Sequence, residues 1–137
     1  MTNLKKVKRI AKDIRKAFEE IDKKYTGHTG GDLGGHCGRA SVQLYLACRR
    51  VGIKIGINKG EGHMFNTYRD RIIDITATQF GVRRKVFVRK IPKKIGKLPS
   101  YHRTCCTYDT AKSAIDVYDD RLDINRDKRV VLKYIGE

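Results

Sequence analysis

From residue 3 to residue 25 apolar side chains recur every three or four positions: Leu4, Val7, Ile10, Ile14, Phe18, Ile21 and Tyr25. That period predicts one long amphipathic helix with its apolar face on a core. The polar face mixes Asp13, Glu19, Glu20 and Asp22 with lysines and arginines, which favours a packed helix over one lying on a membrane. A second stripe of Ala40, Leu44, Ala47, Cys48 and Val51 predicts a helix over 37–51, stopped by Gly52. Cys48 falls on that stripe and reads as a core residue. Between the two helices lies TGHTGGDLGGH, residues 26–36, whose five glycines predict a loop.

At residue 53 the period drops to two. Ile53, Ile55 and Ile57 alternate with Lys54, Gly56 and Asn58, as on a strand. After a turn at NKGEG, the segments HMFNTYRD and RIIDIT predict two strands joined near Arg69 and Asp70. TATQFG reads as a short helical turn. VRRKVFVRKI, residues 82–91, reads as a further strand, and IPKKIGKLPS, with both prolines, as a linker-like loop. A short helix is expected over 110–118, and VVLKYI near the end is expected to be a last strand. Helices first and strands after predict a single α+β domain over residues 1–137, with N-terminal helices packed on a small antiparallel sheet.

Charge changes the picture. The 137 residues carry 31 Lys and Arg against 15 Asp and Glu, a net charge of +16. Such a field attracts polyanions, so nucleic acid or an acidic peptide or protein enters as a partner. Basic residues interrupt every apolar run of the first eighteen positions, so no signal segment is expected there. No window is apolar enough to span a bilayer. A cytoplasmic location and free thiols follow as expectations for Cys37, Cys48, Cys105 and Cys106, which form no CxxC pair.

Candidate chemistry gathers at three positions: Cys37 opens the second predicted helix, His63 opens a strand, and Asp74 lies in the next strand. A helix N-terminus and a nearby imidazolium both favour a thiolate. A histidine can take and return the proton, and a carboxylate can fix its tautomer. The Cys37 backbone N–H is a candidate oxyanion donor, with Gln79 as a possible second. His36 precedes the thiol and is expected to act through its charge at most, since adjacent helical side chains diverge.

GGHCGRAS before an apolar helix, then GHMF, then IIDITATQFG, resembles the transglutaminase-like branch of the papain-like cysteine hydrolases. The matching positions are Cys37, His63 with Phe65, and Asp74 with Thr76, over residues 30 to 82. That group commonly has Trp where Phe65 stands and Pro where Ile75 stands. The resemblance implies a papain-like core and acyl transfer or hydrolysis on peptide or amide bonds through a thioester. Chemistry by these three residues requires no cofactor, and no metal is expected. The alternative is a basic nucleic-acid-binding protein with a non-catalytic α+β core. Two other patterns fail on spacing. His102, Cys105 and Cys106 form a local cluster, but adjacent cysteines seldom share one zinc ion, even with His28 or His36 added. DRLDINRDKRVV would need Gly and Glu where Lys128 and Tyr134 stand to be an EF-hand loop, and reads instead as a charged turn.

Overall fold

The computed structural model describes residues 2–26, 33, 35–108, 113, 116 and 121–135. Helix α1 (Asn3–Ile21) is capped by Thr2, whose hydroxyl accepts from the Lys5 N–H at 3.2 Å. It runs on into a π-type turn, Asp22–Thr26. Val7, Ile10, Ile14, Phe18 and Ile21 are buried as the period requires. Tyr25 is not: it is exposed, with the Arg126 guanidinium 4.6 Å above its ring. Helix α2 (Cys37–Arg50) buries Ala40, Leu44, Ala47 and Cys48.

Among the described residues the sheet has five antiparallel strands in the order β4-β3-β2-β1-β5. They are β1 (Gly56–Gly60), β2 (His63–Tyr68), β3 (Arg71–Asp74), β4 (Phe87–Lys90) and β5 (Cys106–Tyr108). The strand expected from residue 53 therefore starts three residues later, and the hairpin turn narrows to Glu61 and Gly62, between the paired Gly60 and His63. Arg69 takes a left-handed φ of 53° in the β2–β3 turn, at the place expected. The expected strand over 82–91 is cut to Phe87–Lys90. Its partner β3 is four residues long, and the ladder closes at Asp74 opposite Phe87, so earlier residues have no strand to bond.

The two sheet faces do different work. Ile57, Met64, Tyr68 and Ile73 join the large core beneath α1 and α2. Phe65 and Ile72 face the other way and pack on Leu98 and Ile91. The proline-containing segment expected to be a linker is thus a cover for this second face. It makes two 3₁₀ turns, Ile95–Lys97 and Ser100–His102. The cover comes so close over Gly60 that a Cβ there would overlap the Tyr101 carbonyl oxygen and stand 2.6 Å from its carbon. Only glycine lets the strand pass beneath it.

The last element corrects the sequence reading. VVLKYI is no strand, and the charged residues from Arg121 on are no turn: Arg121–Tyr134 form helix α3, which ends one residue before Ile135. Ile124, Asp127, Val130, Val131 and Tyr134 share a helical spacing, and Val130 and Val131 are buried against the α1 side of the core. Tyr134 Oη donates to Glu20 at 2.8 Å and Lys133 Nζ to the same carboxylate at 3.2 Å, tying α3 to α1. The β-branched pair suggested a strand, and tertiary packing overrode that preference. The helix expected over 110–118 falls almost wholly outside the described residues, as does most of the glycine-rich run 26–36. The architecture among the described residues is α+β, with helices α1, α2 and α3 and an antiparallel sheet. No helix among the described residues is long and apolar enough to cross a membrane.

Candidate active site

The β2–β3 ladder pairs Asn66 with Ile73 and Thr67 with Ile72. Continued by one pair, that register sets Asp74 opposite Phe65, and so diagonal to His63 on the same sheet face. The side chains meet there. His63 Nε2 lies 2.7 Å from Asp74 Oδ2, with both groups almost wholly buried. The other carboxylate oxygen, Oδ1, accepts the Thr76 backbone N–H at 2.9 Å and the Thr76 hydroxyl at 3.3 Å. This local turn back onto an aspartate explains why Thr follows Asp by two positions.

With Nε2 committed to Asp74, Nδ1 is the His63 ring nitrogen left for other partners. The Cys37 thiol stands beside the His63 side chain and the Met64 backbone N–H, and feels both electrostatically. Cys37 is the first residue of α2, where backbone N–H groups lack intrahelical partners. The electrostatics follow. Burial raises the Cys37 pKa, but the His63 and Met64 hydrogen bonds and the His63 charge outweigh it, so the thiol titrates below its ordinary value. Burial opposes charge on His63 too, yet hydrogen bonds to Asp74 and Cys37 lift it to about 9. Asp74, resisted by its own burial, is brought down to about 2 by hydrogen bonds from His102 and His63. The two shifts on Cys37 and His63 run in the direction that favours a thiolate–imidazolium pair over a neutral one.

Comparisons with family models, with curated proteins and with solved structures find no match to this chain. The site therefore rests on its own geometry.

Cys37, His63 and Asp74, each singled out from sequence, come together. Gln79, on the 3₁₀ turn Ala77–Phe80, reaches the same place: its Nε2 donates to Thr76 O at 3.0 Å and lies 3.4 Å from His63 Nδ1. His36 turns elsewhere. Its Nε2 lies 2.7 Å from Asp22 Oδ1 and its Nδ1 takes up Arg39, so both ring nitrogens are occupied away from the thiol. Burial, opposed by Asp22, holds the His36 pKa below the ordinary value. Its work is to pin the start of α2 to the end of α1. Cys48 is fully buried and pushed up to about 12.

One member of the site escaped the sequence reading. His102, grouped there with Cys105 and Cys106, is buried and leaves them behind at the exposed β5 edge. Its Nε2 lies 2.7 Å from Asp74 Oδ2, the same oxygen that His63 contacts. Its ring lies parallel to Phe87, at 10° and 5.9 Å between centroids. The only local signal is Pro99, which starts the turn that ends in the His102 N–H to Pro99 O bond at 2.9 Å. Nothing in the sequence aims that turn at Asp74. Phe80 and Tyr101 stack on one another at 4.0 Å and meet His63 edge-on, roofing the imidazole.

His63, Asp74 and His102 offer three possible metal ligand atoms close together. Their spacing speaks for hydrogen bonds. Ligands sharing a tetrahedral zinc at ordinary bond lengths stand about 3.3 Å apart, whereas both N···O distances here are 2.7 Å, the length of a charge-assisted hydrogen bond.

Proposed function

We infer that this chain is a thiol-dependent hydrolase or acyltransferase acting on peptide or amide carbonyls, built on a papain-like core of the transglutaminase-like kind. The observation that carries this reading is the convergence of the Cys37 thiol, the His63 ring and Asp74, the last two joined at 2.7 Å.

In this reading the Cys37 thiolate attacks the substrate carbonyl carbon. A carbon–sulfur bond forms and the carbonyl π pair moves to oxygen. The Cys37 N–H at the start of α2 donates to that oxyanion, with the Gln79 amide as a second donor within reach of the same site. Imidazolium His63 passes its Nδ1 proton to the leaving amine, the carbon–nitrogen bond breaks, and a thioester remains. Neutral His63 then takes a proton from water or an acceptor amine, whose oxygen or nitrogen attacks the thioester and releases Cys37. Asp74 holds the ring orientation throughout and compensates its charge. The net charge of +16 favours an acidic peptide or protein as substrate. Phe87 stacks on His102. That leaves the basic strand β4 without an aromatic free for base stacking, and weighs against the nucleic-acid reading.

An activated acyl donor such as an aryl ester of an N-blocked dipeptide tests the reading. Brief incubation at pH 6 and acid quench should give an intact-mass increase of one acyl group, located on Cys37, removed by hydroxylamine and absent in Cys37→Ala. An adduct placed on Cys105 or Cys106, or one that persists in Cys37→Ala, sinks the reading.

A further inference from the structure

His102 is a buried histidine that the three-residue mechanism does not use. Four donors converge on Asp74: Thr76 N–H and O–H on Oδ1, and the two imidazoles on Oδ2. An ionised carboxylate only accepts, so each imidazole must present an N–H to Oδ2. For His102 this puts a proton on Nε2. Its Nδ1 is buried and has no hydrogen-bond partner among the described residues. The ring is held edge-on by Phe65 at 5.0 Å and Tyr101 at 4.6 Å, and flat against Phe87. Such packing fixes the direction of the Nε2–H bond.

We propose that His102 is a positioning residue of this site: by donating to the Asp74 oxygen that His63 also uses, it fixes that oxygen and limits how tightly the carboxylate holds the His63 proton. The proposal rests on the thiol mechanism above for its functional meaning. Two donors on one oxygen compete, so each bond is weaker than it would be alone. Removing one raises the proton affinity of the carboxylate, and with it that of the imidazole bound to it. His63 must release its proton to a leaving amine, and an unshared Asp74 would resist that release. The titratable groups facing this cluster are Cys37 from α2, His63 from β2, and Tyr101 beside His102. The remaining neighbours Phe65, Phe80 and Phe87 are uncharged.

Two variants separate a donor from a filler. His102→Phe keeps a ring among the aromatics and loses the N–H, whereas His102→Gln keeps an N–H and loses the ring. Carboxyl carbon NMR of Asp74 and ring nitrogen NMR of His63 read the two titrations in the full chain. Both midpoints should move to higher pH in His102→Phe, by roughly one pH unit for Asp74 and less for His63, and return toward wild type in His102→Gln. Unmoved midpoints in His102→Phe, or a Gln variant that behaves like Phe, overturn the proposal. So does a wild-type His102 ring carrying its proton on Nδ1, a measurement that needs no variant. If the midpoints respond while Cys37 shows no enhanced reactivity, the positioning role stands and the proposed function falls. If Cys37 is activated while the midpoints stay fixed, the proposed function stands and the positioning role falls.

Discussion

Replacing His63 with alanine is expected to slow alkylation of Cys37 at pH 6 by at least about tenfold. An ordinary thiol, with a pKa near 8.5, is only about 0.3% thiolate at that pH. Cys37 titrates lower because His63 supplies a hydrogen bond and a positive charge against the burial that opposes ionisation. In His63→Ala the Met64 N–H and the start of α2 remain, but the imidazolium is gone. The rate should then climb only in the alkaline range, like that of a free thiol. Part of the loss is offset because a more basic thiolate is a better nucleophile. Iodoacetamide kinetics followed by peptide mass spectrometry provide the check. A variant within twofold of wild type at pH 6 would show that His63 does not activate the thiol.

The largest stability effect is expected at Asp74. Asp74→Ala leaves two buried imidazoles without their shared acceptor, and should cost about 3–5 kcal/mol at pH 5 by urea denaturation. The penalty should depend on pH in a definite sense. Asp74 is depressed to about 2 in the folded chain. Its contribution, about 2 kcal/mol from this shift, is complete above pH about 4 and is lost as pH falls through about 2. His63 is raised to about 9. Its contribution is complete below pH about 6.5 and is lost as pH rises through about 9. The two shifts share one ion pair and do not add. Wild-type stability should therefore plateau between about pH 4 and 6.5, and the gap to Asp74→Ala should narrow toward pH 2. A gap that stays constant down to pH 2 would show that Asp74 contributes packing alone.

Both expectations concern residues that were legible in the sequence, for a physical reason. Cys37 and His63 each start an element, and Asp74 ends one, so the change of period from 3.6 to 2 was enough to locate them. The β2–β3 turn at Arg69 then fixed the register that makes His63 and Asp74 diagonal neighbours. His102 was not legible, because its partner lies 28 positions away and it arrives on a cover segment with no repeating pattern. The sequence offered Cys105 and Cys106 as its companions, and proximity along the chain misled: the strand edge carries the cysteines outward while the turn after Pro99 carries His102 inward. Helix α3 is hidden in the sequence for a related reason. Val130 and Val131 favour a strand locally, but the contact of Tyr134 with Glu20 lies 114 positions distant and leaves no local trace. Tyr25 fitted the α1 stripe by spacing alone, and the π-type turn at Asp22–Thr26 rotates it out to solvent.

The central claim is that Cys37 is held as an activated thiolate, and site-resolved alkylation of the wild-type chain tests it most directly. Cys105 and Cys106 are exposed, Cys37 is half-buried and Cys48 is fully buried. Accessibility alone therefore ranks Cys105 and Cys106 first. Activation by His63 and Asp74 reverses that order: at pH 6 Cys37 should be labelled several times faster than either exposed cysteine, with Cys48 untouched. Labelling of Cys105 and Cys106 ahead of Cys37, with all rates rising together toward alkaline pH, would contradict the account.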